Sequence, residues 1–447
     1  MTAVRGVKTL PKLPGRAAWN AILPEAPPSL QLSENQTADV VIVGGGFAGL
    51  SAARRLKQLD PALRVMVLEA TRIAEGSAGR NSGFMIDLPH ELTSEDYAGA
   101  GDDRALISLN RQAIAFAKEA VEDYEIDPNY FDPAGKVNGA VSSKAVRHNE
   151  SYAVHLDSLG EPYELLGAEA MKVLTGSHYY MAGLYTPGTV MLQPAGYIRG
   201  LATGVRRDGV EIFENTPVET FSREGSGWQL KCGSNSVSCQ RVVLAVNGHL
   251  ASFGFHERQL MQVFLYAVMT PELDAETCRK LGGASRWGIT PSDPMGTTVR
   301  RIDSGQGGNR IVTRTCAELK QGMQPSHSDV QRAAKVMQGK FDQRFPALAG
   351  MKMEYEWAGH LCLTLNSVSV ARQLEHGFYS ACAQNGLGTT RGTLTGIAAA
   401  ELALGQVSAI TSFFAAETTP KTLPPEPFLS IGANATMRWK EWKAAKE

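Results

Sequence analysis

The sequence predicts an α/β fold, α+β overall, built around a parallel sheet that the chain leaves and re-enters. Three observations carry this. The stretch "ADVVIVGGGFAGLSAARRLKQLDPALRVMVLEA", starting at residue 38, reads strand, glycine turn, helix, strand. A second continuous apolar run with a glycine stop, "RVVLAVNG", follows from residue 241, as a buried parallel strand requires. A second glycine-rich turn, "NGLGTTRGTLTG", opens a small-residue helix from residue 385.

Bulk properties leave room for this. A chain of 447 residues accommodates two or three domains and a large core. A net charge of −1 gives no reason to expect nucleic acid or an acidic membrane surface as partner. No apolar run approaches the roughly 20 residues that span a bilayer. The first residues are basic and lack the apolar stretch of a secretory signal. The six cysteines form no CxxC pair and no histidine lies beside them at ligand spacing, so neither a metal site nor a disulfide framework is expected. A reducing cytoplasm is the expected compartment.

The elements follow in order. Residues 1–37 are rich in proline and polar residues and read as an extended arm over the surface. In "VVIVGGGFAGL", Gly44, Gly46 and Gly49 are in GxGxxG register between strand and helix. The first glycine permits a tight turn, the second lets the backbone approach a pyrophosphate, and the third lets helix and strand pack closely. The N-terminus of the helix, at Phe47 and Ala48, then offers free N–H groups to the phosphates. Glu69, at the end of the next strand and followed by Ala70, lies where an acid binds ribose hydroxyls. A dinucleotide is therefore expected here. The motif alone does not choose between NAD and FAD.

Residues 103–125 have helical periodicity. "GYIRGLATGVRR" reads as a helix, followed by a meander of short strands leading into "RVVLAVNG". In "GTTVRRIDSGQGGNRIVTRT" two strands flank a glycine-rich turn, a hairpin pattern, and "SDVQRAAKVMQGKFDQRF" continues as a helix. Strand alternation puts Arg300 and Arg301 on opposite faces, and Arg314 falls on the partner strand.

These motifs resemble the D-amino-acid oxidase superfamily of FAD enzymes, the group of glycine and sarcosine oxidases, and most of all its gamma-glutamylputrescine oxidase-like branch. The resemblance rests on Gly44, Gly46, Gly49 and Glu69, the loop "GSAGRNSG", "LYTPGTVMLQPAGYIRGLA", "NTPV", "VVLAVNGH", "WAGHLCLTLN" and "NGLGTTRGTLTG", with "WNAILPEAPP" in the arm. It implies a glutathione-reductase-like FAD-binding Rossmann domain (38–93, 195–253 and 355–415) interleaved with an antiparallel-sheet substrate domain (94–194 and 254–354), between the arm and a C-terminal tail (416–447). It implies that Val218 contacts adenine and that Asn385, Gly386, Leu387, Gly388, Thr389 and Thr390 face the pyrimidine edge of the flavin, where N–H dipoles stabilise charge. It places Ser77, Gly79, Arg80, Asn81 and Ser82 along pyrophosphate and ring, and Tyr266 as a wall over the ring.

The implied reaction is oxidation of a carbon–nitrogen bond by hydride transfer to flavin N5, giving an imine that water hydrolyses to an aldehyde or keto acid. The electron acceptor, oxygen or another, stays open. One of Arg300, Arg301 and Arg314 is expected to hold an anionic group of the amine substrate, a carboxylate first, a phosphonate or sulfonate otherwise. The chain departs from the family twice: His360 and Leu361 stand where glycine oxidases carry a substrate arginine, and the second hairpin strand has no lysine. His90 and His360 are candidates for orienting the substrate. Cys362 lies near the place where sarcosine oxidases attach their flavin, but out of register, so FAD is expected to be non-covalent. An FAD/NAD(P)H monooxygenase or reductase and a non-catalytic flavin-bound subunit are the alternatives. No second GxGxxG in strand–helix context supports the former.

Overall fold

The computed structural model describes residues 4–89, 103–293 and 295–444. Its first sheet is built on five parallel strands in the order Glu211–Phe213, Val65–Leu68, Gln36–Val43, Asn235–Leu244 and Phe378–Cys382. The run Val40–Val43 is buried on both faces, because each face carries a covering layer. On one side pack the helices Phe47–Leu59 and Thr390–Ala403, which approach so closely that a Cβ on Gly396 would lie 2.2 Å from the Ala48 carbonyl oxygen. On the other side packs a cluster including Phe221, Trp228, Leu250 and Phe378, fed by the antiparallel meander Thr220–Glu224, Gly227–Cys232.

The second sheet has eight strands, in the order Tyr355–Leu363, Met261–Met269, Arg310–Leu319, Thr298–Ile302, Trp287–Pro291, Lys136–Ala140, Ala182–Thr186 and Glu164–Gly167. All neighbours are antiparallel except Trp287–Pro291 beside Lys136–Ala140. The hairpin pairs Thr298 with Arg314, and Gly307 and Gly308 turn it with φ of 106° and 111°. Helix His327–Arg344 covers the face of this sheet that carries Phe264, Tyr266 and Val268. The expected helices over 103–125 and "GYIRGLATGVRR" form as Asp103–Asp123 and Pro194–Arg207.

Three expectations change. The strand Tyr355–Leu363 pairs with Met261–Met269, so the return to the parallel sheet after residue 354 begins only at Val370–Glu375, which pairs with Phe378–Cys382. The N-terminal arm is not merely superficial: the short helix Ala18–Ala21 buries Trp19 completely. The tail contains helix Phe428–Ala444, whose Asn434 and Glu441 accept from the backbone of Leu319 and Ala317 at the side of the second sheet. Among the described residues no helix is long and apolar enough to cross a membrane, and no cluster of metal-ligating side chains occurs.

Candidate active site

The C-terminal ends of the parallel strands open on a cavity of about 290 Å³. That is where an open α/β sheet leaves a crevice between diverging connections. Gly44, Gly46, Phe47, Ala48, Glu69, Ala70 and Val218 line it, together with Ala245 and Asn247 at the end of "RVVLAVNG". Gly44 has φ of 103°, and a Cβ there would lie 2.6 Å from the Ala245 carbonyl oxygen. Gly49 does not reach the cavity. A Cβ on it would lie 1.8 Å from the Gly44 carbonyl oxygen, so its role is the close packing of helix on turn. Glu69 is oriented by both oxygens: Gly45 N–H donates to Oε2 at 2.8 Å, and Thr71 N–H and Oγ1 donate to Oε1 at 2.9 Å.

The glycines also test whether the cavity fits FAD. A Cβ on Gly76 or Gly388 would meet nothing within 4 Å, and one on Gly46 only the Ala78 Cβ at 3.5 Å. All three line the cavity. Chain packing therefore does not require glycine at these positions. Close approach of a ligand to the backbone does. With two helix N-termini, Phe47 and Thr390, at the same cavity, the residues fit a pyrophosphate-linked dinucleotide.

The loop after Glu69 is held by its own polar side chains. Ser77–Gly79 form one 3-10 turn, and a Cβ on Gly79 would lie 1.9 Å from the Ala74 carbonyl oxygen, so that glycine too is a packing residue. Asn81 Nδ2 donates to the Ala78 carbonyl at 2.6 Å and its Oδ1 accepts from Gly83 N–H at 2.8 Å. Arg80 donates to the carbonyls of Glu75 (2.7 Å), Gly15 (2.9 Å) and Ala358 (3.3 Å), and Trp357 Nε1 donates to the Arg80 carbonyl at 3.0 Å. Burial pushes the Arg80 guanidinium down to about 10, opposed by Glu75. Ser77, Arg80, Asn81 and Ser82 line the cavity, but the Arg80 guanidinium and the Asn81 amide are committed to the backbone.

In the second turn, Gly386 and Gly388 line the cavity and the other four expected residues brace it. Asn385 accepts from Thr364 N–H at 2.8 Å and donates to the Val368 carbonyl at 2.9 Å. Leu387 packs on Phe84, Ile86 and Met191. Thr389 and Thr390 donate to the carbonyls of Phe84 (2.7 Å) and Ile86 (3.0 Å), tying the two glycine-rich loops together.

The three arginines separate cleanly. Arg314 lines the cavity and donates to Thr298 Oγ1 at 2.8 Å. No carboxylate pairs with it among the described residues, and burial pushes it down to about 10. Arg300, 1% exposed, is used up elsewhere. It donates to the carbonyls of Leu192 (2.6 Å) and Ser82 (3.1 Å) and to Gln306 Oε1 (3.0 Å), and lies over the Trp19 and Phe84 rings. Arg301, on the opposite face, donates to the Gly282 carbonyl. Neither Arg300 nor Arg301 borders the cavity.

Tyr266 is a correction. Its strand turns Leu265 and Ala267 to the cavity, while Tyr266 points to helix His327–Arg344 and donates to Glu318 at 2.9 Å. His360 does border the cavity. Gln262 Nε2 donates to the Gly248 carbonyl at 3.0 Å, so its Oε1 accepts from His360 Nε2 at 2.8 Å, leaving the lone pair on Nδ1. Burial and the neighbouring His249 push the His360 imidazole down to about 3; burial pushes His249 to about 4, so both are neutral near pH 7. His249 was not singled out from the sequence, nor were the arm residues Val7, Thr9, Leu10, Pro11 and Leu13 that line the same cavity. His249 stood in the quoted "VVLAVNGH"; the arm carried no such signal. His90 lies outside the described residues. Cys362 is fully buried in the core behind the first sheet, its thiol pushed up by burial, and no cysteine borders the cavity.

Comparison with known proteins agrees with this geometry. A family model described as FAD dependent oxidoreductase, DAO, matches residues 39–402. A probable oxidoreductase, OrdL, of Haemophilus influenzae is 26% identical over 396 residues, 86% of each chain. The gamma-glutamylputrescine oxidoreductase of Escherichia coli is 25% identical over 388 residues, 86% of this chain and 87% of its own. The crystal structure of glycine oxidase from Geobacillus kaustophilus superposes with a TM-score of 0.69 at 18% identity, covering 87% of this chain and 100% of its own, a likeness of fold.

Proposed function

The chain belongs to the FAD dependent oxidoreductase family, and on that premise we propose that it oxidises the carbon–nitrogen bond of a small amine or amino acid bearing an anionic group. It is an FAD-dependent oxidoreductase of the amine and amino-acid oxidase type. The finer reading rests on Arg314, a partly buried cation in the wall of the cavity with no carboxylate partner among the described residues. A buried charge is costly unless paired, and a substrate anion supplies the pair through a planar fork. The likeness to the E. coli gamma-glutamylputrescine oxidoreductase supports an amine as the oxidised partner.

Bound FAD supplies the two-electron acceptor for the carbon–nitrogen bond. The chain supplies position. Arg314 holds the anion, Leu265 and Ala267 present an apolar wall, and the neutral His360 adds no positive charge beside the amine. The imine product is then hydrolysed to an aldehyde or keto acid, and the electrons pass to oxygen or another acceptor. FAD is held without a covalent bond through sulfur, since none of the six free cysteines borders the cavity. The same six unpaired thiols support a reducing compartment, the cytoplasm.

The test is an anaerobic screen of amines carrying carboxylate, phosphonate or sulfonate groups, read as loss of flavin absorbance. Bleaching by an anionic amine is the expected result. Reduction by NAD(P)H alone, or by nothing in a broad panel, would replace this reading with a reductase or a non-catalytic subunit.

A further inference from the structure

The stretch matched by the family model begins at residue 39, yet five residues upstream of it, Val7, Thr9, Leu10, Pro11 and Leu13, border the FAD cavity. We propose that residues 5–19 are a strap across the mouth of this cavity, and that FAD enters and leaves only when the strap opens from its N-terminal end.

The strap is fastened at both ends, to different sheets. At the outer end Arg5–Gly6 pairs antiparallel with Thr220–Glu224, with Gly6 opposite Thr220. Val7 N–H donates to the Glu219 carbonyl at 2.8 Å and Lys8 N–H to the Ser252 carbonyl at 2.9 Å. Arg5 pairs with Glu375 at 2.5 Å and lies 4.5 Å over the Phe221 ring; Lys8 pairs with Glu257 at 2.6 Å. At the inner end Ala358 N–H donates to the Pro14 carbonyl at 3.1 Å, Arg80 donates to the Gly15 carbonyl, and Gln193 donates to the carbonyl of the buried Trp19 at 2.7 Å. Gly15 fits only as glycine, because a Cβ there would lie 2.2 Å from the Glu356 carbonyl oxygen.

Between the fastenings, residues 9–13 make no backbone-to-backbone hydrogen bond with the rest of the chain among the described residues. Thr9 meets the His249 imidazole through its backbone, and Leu13 packs beside the Tyr266 cluster. The middle is therefore a wall held by its ends. The two ends differ in strength. The inner one is buried with Trp19 and Arg80, whereas the outer one is a short strand pair at the surface, its residues 5–8 all at least partly exposed and its ion pairs open to screening by salt. Local opening starts where contacts are fewest and most exposed, which is the outer end.

The test is the rate of FAD release from the holoprotein, followed by the rise of flavin fluorescence on dilution. Opposed residues of an antiparallel pair lie about 4.5–5.5 Å apart at Cα, within the roughly 4.4–6.8 Å that a disulfide spans. A Cβ on Gly6 would meet nothing within 4 Å, so Gly6→Cys with Thr220→Cys can lock the outer end. Release is expected to be at least about tenfold slower in the oxidised double variant than in the same protein after reduction. Arg5→Ala is expected to release FAD about threefold to fivefold faster than the native chain, with the melting temperature of the apoprotein unchanged. Release rates agreeing within about twofold between the locked and reduced forms overturn the strap. Should the cysteine pair prevent folding, Arg5→Ala decides alone, and a native release rate overturns the proposal.

Discussion

The two ends of the cavity are built from different materials. At the dinucleotide end the surface is mostly backbone: Gly44, Gly46, Gly76, Gly388 and the first turns of two helices, with Glu69 as one fixed carboxylate. At the other end it is side chain: Arg314, Leu265, Ala267 and His360 on three adjacent strands of the antiparallel sheet. A backbone surface tolerates little change, because a Cβ on Gly46, Gly76 or Gly388 would fill the space in which a ligand approaches the main chain, and one on Gly44 would strike the Ala245 carbonyl. A side-chain surface is exchanged without moving the sheet. One end is thus suited to a fixed cofactor and the other to a selectable substrate.

Substitutions should separate the two ends, beginning with the largest effect. Gly49→Val puts atoms where 1.8 Å is available to the Gly44 carbonyl, and overpacking of this kind costs about 1–3 kcal/mol or more. Loss of both folded yield and bound flavin is expected, read as melting temperature and absorbance ratio. Arg314→Gln should instead leave the flavin bound and weaken an anionic substrate by about 2–4 kcal/mol, from anaerobic flavin titration. Arg300→Gln is the control within the same hairpin. It leaves the Leu192 and Ser82 carbonyls short of a donor, so stability should fall by about 1–3 kcal/mol while substrate affinity stays near native. Glu69→Gln, which weakens the orienting bond from Gly45, should raise the FAD dissociation constant by about tenfold without unfolding the chain.

The smallest effect is in pH. The His360 and His249 imidazoles are pushed down to about 3 and 4, below the ordinary value of 6.5. The unfolded chain therefore binds protons that the folded chain does not, and stability rises with pH over this range. Their contribution is complete above pH 6.5 and is lost as pH falls through about 4 for His249 and about 3 for His360. The melting temperature should drop between pH 7 and 5, and less in His360→Gln.

What the sequence made legible follows the same division. The glycine turn, Glu69 and the apolar strands announce themselves locally, because each position answers to one backbone constraint. The return of the chain to its parallel sheet was legible too, from where buried strands recur, whereas the second sheet was expected only from the family resemblance. The ring end was not. Arg300 and Arg314 carry the same side chain, and only packing decides that Trp19, brought by the arm, and Phe84 cover the first while the second stays at the cavity. Tyr266 was assigned to the wrong face of its strand. A register shift between Leu265 and Tyr266, with Cys316 at φ of 62° opposite, makes that face unreadable from alternation alone. The arm had no periodicity from which its contact with the cavity could be inferred.

Selection of an anionic amine by Arg314 is the proposal on which the substrate reading stands. It is tested most directly by anaerobic flavin titration of the native chain and of Arg314→Gln with an amine carrying a carboxylate and with its neutral amide. Tighter binding of the carboxylate by the native chain and near-equal binding of both by Arg314→Gln are expected. A preference that survives in Arg314→Gln would contradict it.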